Sequence, residues 1–530
     1  MRRHARALAM PLSMISIGAI SCAAPEFGET TPEVTTREVR RFANQVKDVD
    51  ILFVIDDSPS MTPKQRALAA AIPQFIQRIE ATGANYQIGV VTSDVGATPQ
   101  GAASGLANCQ SSSGDDGLLQ RTACSARGTL SQEAVSACQT LCPDARFVPQ
   151  GGAGFIRKVD GATNVPVALD AQGRDLGPQR AFQCLALVGD GGCGVEGTLE
   201  GMRRALDGHR ADNKGFPRPG ALLSVIVISD EDDCSLSAAG RREMAEGQSQ
   251  TCDTPDANAV PGCYNPDYRC LARSTICDQP LNTPGAKSNC RERIEDGLIP
   301  VNDYAAFLRG LRPDQSQLLL AGIYTLPPLT GGGRLVVSGD TSQKLGRALG
   351  ANAGCVDPSD PRVFGQPQHR LSKLLGQLPG SLEVSVCDTA RYPAALDTIA
   401  EAIRQRLAVR CLAGLPQRDP SGTPACLVGD GDSHGGAPAR AFPVCAAGCC
   451  AAFARSAVGS TDDPAIQAAC AAEAAPCYCA VAPEPGSAAA ARGLCKQQDG
   501  ASGAILGVYR PRGQEPPPES QLFVQCKMQP

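Results

Sequence analysis

The chain contains no tryptophan, and aromatic residues of all kinds make up 4% of its 530 positions. Proteins that hold sugars or nucleic-acid bases stack them on aromatic rings, so such platforms are not expected here. Histidine is nearly as scarce, with four residues, one of them in the N-terminal leader. A Ser-His-Asp triad or a His-based metal site therefore has little to be built from. The net charge of −5 leaves no basic excess, and nucleic acid is not an expected partner. Lysine supplies only 9 of the 49 basic residues. With abundant Ala, Gly and Pro, that bias reads as GC-rich coding rather than function. Beyond the N-terminus, no apolar run reaches the ~20 residues needed to span a bilayer. No internal repeat is evident.

What the chain does have is cysteine, 25 in all. Arg2, Arg3 and Arg6 precede a mostly apolar stretch over 7–20, and Ala19-Ile20-Ser21-Cys22 follows. This is an export signal. Its end resembles the lipobox of bacterial lipoproteins, which implies that Cys22 is the lipidated first residue of the mature chain. An ordinary cleaved signal with an incidental cysteine is the plainer alternative. Setting Cys22 aside leaves an even 24, which suits full disulfide pairing in an oxidising compartment. Residues 23–47 are rich in Pro, Glu and Thr without periodicity, and read as a tether.

The organising stretch begins at Val49. Apolar residues 51–55 run into Asp56, followed by Ser58 and Ser60. An unbroken apolar run bounded by a polar turn reads as a strand buried on both faces, as in parallel sheets. Open α/β sheets place ligands at the carboxyl ends of such strands. Asp56, Ser58 and Ser60 form D-x-S-x-S, three oxygen-bearing side chains on one turn, which is what hard divalent cations require. The bland alternative is a strand leading into a Ser-capped helix. The segment resembles the first strand and metal-ion-dependent adhesion site (MIDAS) of a von Willebrand factor A (VWA) domain.

The rest of residues 48–410 fits a doubly wound, mostly parallel α/β sheet. A helix opens at Thr62-Pro63, with Leu68, Ile72, Phe75, Ile76 and Ile79 on one face. A second strand is expected at 86–94, giving a β-α-β unit with right-handed crossover. Further strands are expected at 222–230, 317–324 and 383–387. Helices are expected near 181–188, 196–206, 301–311 and 370–378, and around Leu396, Ile399, Ile403 and Leu407. Two insertions interrupt the pattern. Residues 95–180 carry Cys109, Cys124, Cys138 and Cys142, and residues 234–300 carry six cysteines from Cys234 to Cys290. Each reads as stapled by disulfides. From Cys411 to the end, ten cysteines sit among Ala, Gly and Pro, and this region relies on disulfides rather than a large core.

The resemblance implies a site in which Asp56, Ser58, Ser60 and Asp230 hold Mg2+, or else Mn2+ or Ca2+. An acidic group from a protein or other macromolecular partner would complete the ion's coordination. The family's threonine ligand falls at Cys193, which is expected to pair with Cys184; Thr163, in Gly161-Ala162-Thr163-Asn164, mimics the motif in the wrong context. The threonine is left unassigned. Asp230-Glu231-Asp232-Asp233 reads as a solvated acidic patch or, second, a Ca2+ site. Asp430-Gly431-Asp432-Ser433-His434-Gly435 matches neither a complete calcium loop nor a nucleophile elbow.

The expected function is therefore binding rather than catalysis. The chain reads as an exported lipoprotein of the bacterial cell envelope, at the outer membrane or cell surface, whose VWA-like domain takes a macromolecular ligand. The alternative is a scaffolding envelope protein with a metal-free site. A hydrolase using Ser433 is the weakest reading.

Overall fold

Asp48–Ile55, the strand expected to organise the chain, lies at the centre of the largest sheet in a computed structural model. The structure describes residues 37–43, 48–82, 84–96, 114–127, 131–193, 195–237, 240, 271, 274–279, 285–293, 297–312, 315–326, 335–337, 354–357, 359–366, 368–407, 410–412, 414–431, 438, 440–456, 463–491, 495, 503–511, 513–514 and 521–529. Cys22, most of the 23–47 segment, Ser433 and His434 lie outside them.

In chain order the strands used below are β1 (Arg37–Ala43), β2 (Asp48–Ile55), β3 (Asn85–Thr92), β4 (Phe155–Val159), β5 (Ala162–Thr163), β6 (Leu222–Ile228), β7 (Leu318–Tyr324), β8 (Leu382–Ser385), β9 (Cys426–Gly431), β10 (Cys477–Val481), β11 (Ile505–Tyr509) and β12 (Gln521–Lys527). The helices used below are α1 (Thr62–Glu80), α2 (Gln132–Leu141), α3 (Gly177–Ala186), α4 (Thr198–Leu206), α5 (Val301–Leu311), α6 (Arg370–Gln377), α7 (Tyr392–Leu407) and α8 (Ala447–Arg455). The seven-stranded sheet runs β8-β7-β6-β2-β3-β4-β5. Its first five strands are mutually parallel, with Ile51 of β2 opposite Ile88 of β3 and Ser224 of β6. This is the α/β architecture that the resemblance implied.

Alternation along β2 explains why its apolar run is continuous. Val49, Ile51, Phe53 and Ile55 face one core with α1, α3 and α7; Leu52 and Val54 face another with α4, α5 and α6. Successive side chains point to opposite faces, and here both faces are covered by helices. Phe53 anchors the first core, its ring 5.7 Å from Phe75 and 4.6 Å from Phe182.

Three expectations need correction. The first insertion is more than a stapled loop, because β4 and β5 extend the sheet by antiparallel pairing. The turn between them is Asp160-Gly161, with φ of 49° and 81°. An Asp-Gly pair with both φ positive is the preferred two-residue hairpin turn, since its twist matches that of the strands. Second, residues 37–43 of the supposed tether form β1, which pairs antiparallel with β12 at the far end of the chain. β12 pairs in turn with β9, joining the two ends in one three-stranded sheet. A Pro/Glu/Thr-rich composition said nothing about that long-range partner. Third, Cys184 bonds Cys142, not Cys193; Cys193 is disulfide-bonded elsewhere. Cys142 thus ties the insertion to α3, while Cys124–Cys138 closes within it.

The region after Cys411 has small apolar clusters around Leu412, Val428, Leu522 and Val524, and around Phe453 and Ile466. Five disulfides cross it: Cys411–Cys495, Cys426–Cys526, Cys445–Cys477, Cys449–Cys470 and Cys450–Cys479. Among the described residues, no helix is long and apolar enough to cross a membrane.

Candidate functional site

β2 and β6 are neighbours, and both end at the same edge of the sheet. The chain leaves β2 through Asp56, whose backbone N–H donates to the Ile228 carbonyl at the end of β6 (3.0 Å). Ser58 N–H turns back onto Asp56 Oδ1 (2.8 Å), and the Ser58 and Ser60 hydroxyls meet at 3.1 Å. Ser229 Oγ donates to Asp56 Oδ2 (2.7 Å), fixing the carboxylate from the β6 side. Asp230 follows, and Gln366 N–H holds its carbonyl (2.7 Å). The four residues expected from the motif are thus gathered at one place. Asp56 and Asp230 are fully buried, whereas Ser60 is partly exposed and Pro59 exposed, so the site opens on the serine side.

The electrostatics are those of too many carboxylates in too little water. Burial, and then the neighbouring charge of Asp230, push the Asp56 carboxyl up to about 6, against hydrogen bonds from Ser58 and Ser229 that pull it down. Asp57, beside it, is raised well above its ordinary value by burial and then by Asp94, Asp115 and Asp56. Glu231 is raised well above its own by burial and then by Glu196, with which it shares a hydrogen bond, and by Asp230 and Asp56. A cation placed among them would reverse all of these shifts.

The loop that should have supplied threonine is built differently. Its glycines allow close approach: a Cβ on Gly192 would lie 2.3 Å from the Asp57 carboxyl, and Gly192 N–H bonds the Asp57 carbonyl (2.9 Å). Gln65 of α1 latches this loop to the motif, with Nε2 on the carbonyls of Asp56 (3.0 Å) and Gly189 (2.7 Å). The loop delivers an acid, Glu196, to the cluster. Thr163 is excluded, since it sits on β5, the strand farthest toward one edge of the sheet. Glu196, Glu231, Ser229 and Ser93, whose hydroxyl donates to Asp57 Oδ1 (3.1 Å), were not singled out from the sequence for this site. An acid in a Gly-rich loop just ahead of a helix was the one available signal for Glu196.

The residues fit a hard divalent ion. Asp230 Oδ1 is buried and has no hydrogen-bond partner among the described residues, an orphaned acceptor of the kind that a cation satisfies. With Asp56 and the paired serine hydroxyls it makes an all-oxygen set suited to Mg2+, Mn2+ or Ca2+. One feature opposes the fit. Lys64, fully buried on α1, places its ammonium on Asp230 Oδ2 and on the Ser60 carbonyl (3.1 Å).

The acidic run after Asp230 is not a solvated patch. Asp232 and Asp233 are buried. Asp233 accepts from Leu199 N–H (2.8 Å) at the start of α4 and from Arg370 Nε (2.8 Å). Asp232 accepts from Arg370 N–H (3.0 Å) at the start of α6 and from the Ser274 hydroxyl (2.7 Å). Helix N-termini present unsatisfied N–H groups and positive potential, which these carboxylates answer. In the later acidic loop, Asp430 is bound by the Arg510 guanidinium (Nη1, 2.8 Å). Cysteine groupings that could hold zinc, such as Cys445, Cys449 and Cys477 with Glu473, are consumed by disulfides, and a thiol so bonded is no thiolate ligand.

No protein-family model and no curated protein matches the chain. Among solved structures, it is similar to SpaC, a pilus adhesin from Lactobacillus rhamnosus GG, at 11% identity, covering 93% of this chain and 43% of that one, with a TM-score of 0.28. The open conformation of the same adhesin gives 11%, 92%, 40% and 0.27. A von Willebrand factor type A protein from Catenulispora acidiphila gives 11%, 94%, 66% and 0.24. The chain spans less than half the length of the pilus adhesin. Likeness this distant carries no argument about what the chain binds.

Proposed function

We propose that this chain is an exported cell-envelope protein that binds a macromolecular ligand at the carboxyl edge of its sheet, through a divalent cation. Asp56, Ser58, Ser60 and Asp230 would hold the ion, with Mg2+ the first choice and Mn2+ or Ca2+ as alternatives. The observation that carries this reading is the pairing of two buried carboxylates, one with an oxygen unsatisfied among the described residues, with two serine hydroxyls, of which Ser60 lies toward the site's open side. When bound, the ion supplies a positive centre with room for one outside oxygen. Asp56 would be its fixed charge, Ser229 keeps that carboxylate in place, and the serine hydroxyls add ligands without excess charge. An acidic side chain of the partner is the natural outside ligand.

Disulfide bonding of twenty cysteines among the described residues supports an oxidising compartment. Attachment through a lipid on Cys22 belongs to the same proposal. Mass spectrometry of the envelope-extracted chain tests it, since a mature N-terminus without acyl mass would remove the anchor. The binding reading is tested by capture from envelope or host material on the purified chain. Ligand retained in Mg2+, lost with EDTA and lost with Asp56→Ala supports it; retention indifferent to both overturns it. The scaffolding alternative is favoured by one observation, the Lys64 ammonium already seated on Asp230, and predicts that indifference. We read the chain as a binding protein.

A further inference from the structure

Lysine is rare in this chain, and Lys64 stands where a lysine is seldom found. It lies four residues past Ser60 in the first turn of α1, and none of it reaches solvent. Its long stem would ordinarily carry the charge outward to water, yet here the ammonium is turned inward. Nζ donates to Asp230 Oδ2 and to the Ser60 carbonyl (3.1 Å), and lies 4.7 Å from the centroid of the Phe364 ring. A carboxylate, a carbonyl and a ring face form a coordination shell for a cation. Two of the three come from residues that the divalent-ion site would use. Burying an ammonium is unfavourable unless it is paired, and a neighbouring cluster of carboxylates is what makes this burial tolerable.

The same cluster cannot serve both cations at full strength. A divalent ion at Asp230 would sit close to the ammonium in a region poor in water, where like charges repel far more than at the surface. We propose that Lys64 is a resident counter-ion of the site, competing with the divalent cation for Asp230 and so setting how tightly that cation is held. It stabilises the metal-free form by neutralising one carboxylate. It also makes metal uptake conditional on the ammonium withdrawing from Asp230. This rests on the reading of Asp56, Ser58, Ser60 and Asp230 given above.

The test is Mn2+ titration of the full chain by calorimetry, comparing wild type with Lys64→Met, Lys64→Gln and Lys64→Arg. The two neutral variants are expected to bind at least tenfold more tightly than wild type, and the charge-retaining one no more tightly. In an Asp230→Asn background the gain should vanish. Equal or weaker binding by folded neutral variants overturns the proposal, as does an equal gain from Lys64→Arg. Binding by the neutral variants alone would uphold it while removing the divalent ion from the native site. Absence of binding in wild type and all folded variants removes both. A measurement on wild type stands if the neutral variants do not fold: saturating Mn2+ should raise acetylation of Lys64 by acetic anhydride several-fold, read by mass spectrometry. Unchanged protection with Mn2+ bound contradicts the competition.

Discussion

The sheet of residues 48–407 and the region after Cys411 solve the same problem with different means. The first surrounds β2 with two apolar cores, one on each face. The second has small clusters and five disulfides, one of which, Cys426–Cys526, joins residues directly opposite in a strand pair. A large core leaves spare stability that a crowded, charge-rich site can draw down, and the buried carboxylates are found in the sheet domain. A covalently stapled region instead tolerates the Ala-, Gly- and Pro-rich composition seen there. β1 connects the two, since it precedes β2 in sequence yet pairs with β12.

Three perturbations separate these modes of stabilisation, in decreasing order of effect. Reduction should act most strongly. Losing a native disulfide costs about 2–5 kcal/mol in a small domain, and five together should unfold residues 411–529 in dithiothreitol. Limited proteolysis with peptide mapping should then cut there first, leaving a fragment containing β2, β3 and β6. Simultaneous cleavage of both regions would erase the contrast. Next, Phe53→Ala should lower the stability of the sheet domain by about 3–5 kcal/mol through the cavity it leaves between Phe75 and Phe182. Thermal melting checks this, and the cysteine-rich region should be unaffected in the same proteolysis assay.

The smallest effect concerns Glu292, which holds the second insertion against α6. It bonds Arg370 Nη1 (2.7 Å) and Lys373. Burial pushes its carboxyl up, but hydrogen bonds from Lys373 and Val301 N–H, with the charges of Arg370 and Lys373, outweigh that and hold it below its ordinary 4.5. On acidification the unfolded chain therefore takes up this proton first. The contribution is complete above pH 4.5 and is lost as pH falls toward the folded-state value. Glu292→Gln should lower stability at pH 7 by about 1–2 kcal/mol and flatten the acid limb of a denaturant–pH series; an unchanged limb would refute the assignment.

Much of the sheet could be read from residues, because a strand covered on both faces shows itself as an unbroken apolar run. Residues 51–55 of β2 and all of β7 do so, and β3 and β6 come near it, interrupted by Gln87 and Ser224. The D-x-S-x-S turn was legible for the same reason, being short and local. What was not legible depends on partners distant in the chain. β1 has no pattern apart from its pairing with β12, and Cys184 gives no sign that it belongs to Cys142 rather than Cys193. Asp232 and Asp233 looked solvated because a run of acids usually is; they are buried because two helix N-termini and Arg370 converge on them. Lys64 lies four residues before Leu68, on the same face of α1 as its apolar stripe, and nothing local showed that Asp230 would pair its ammonium there. Asp160-Gly161, by contrast, was a readable hairpin signal concealed by the Gly/Ser-rich sequence around it.

The central claim is a divalent ion held by Asp56, Ser58, Ser60 and Asp230. Electron paramagnetic resonance of free Mn2+ measures it most directly, since the aqueous signal falls as the ion binds. Titrating Mn2+ into the full chain should show one saturable site that Mg2+ displaces and Asp56→Ala abolishes. A free-ion signal that rises identically with wild type, with Asp56→Ala and with buffer would contradict it.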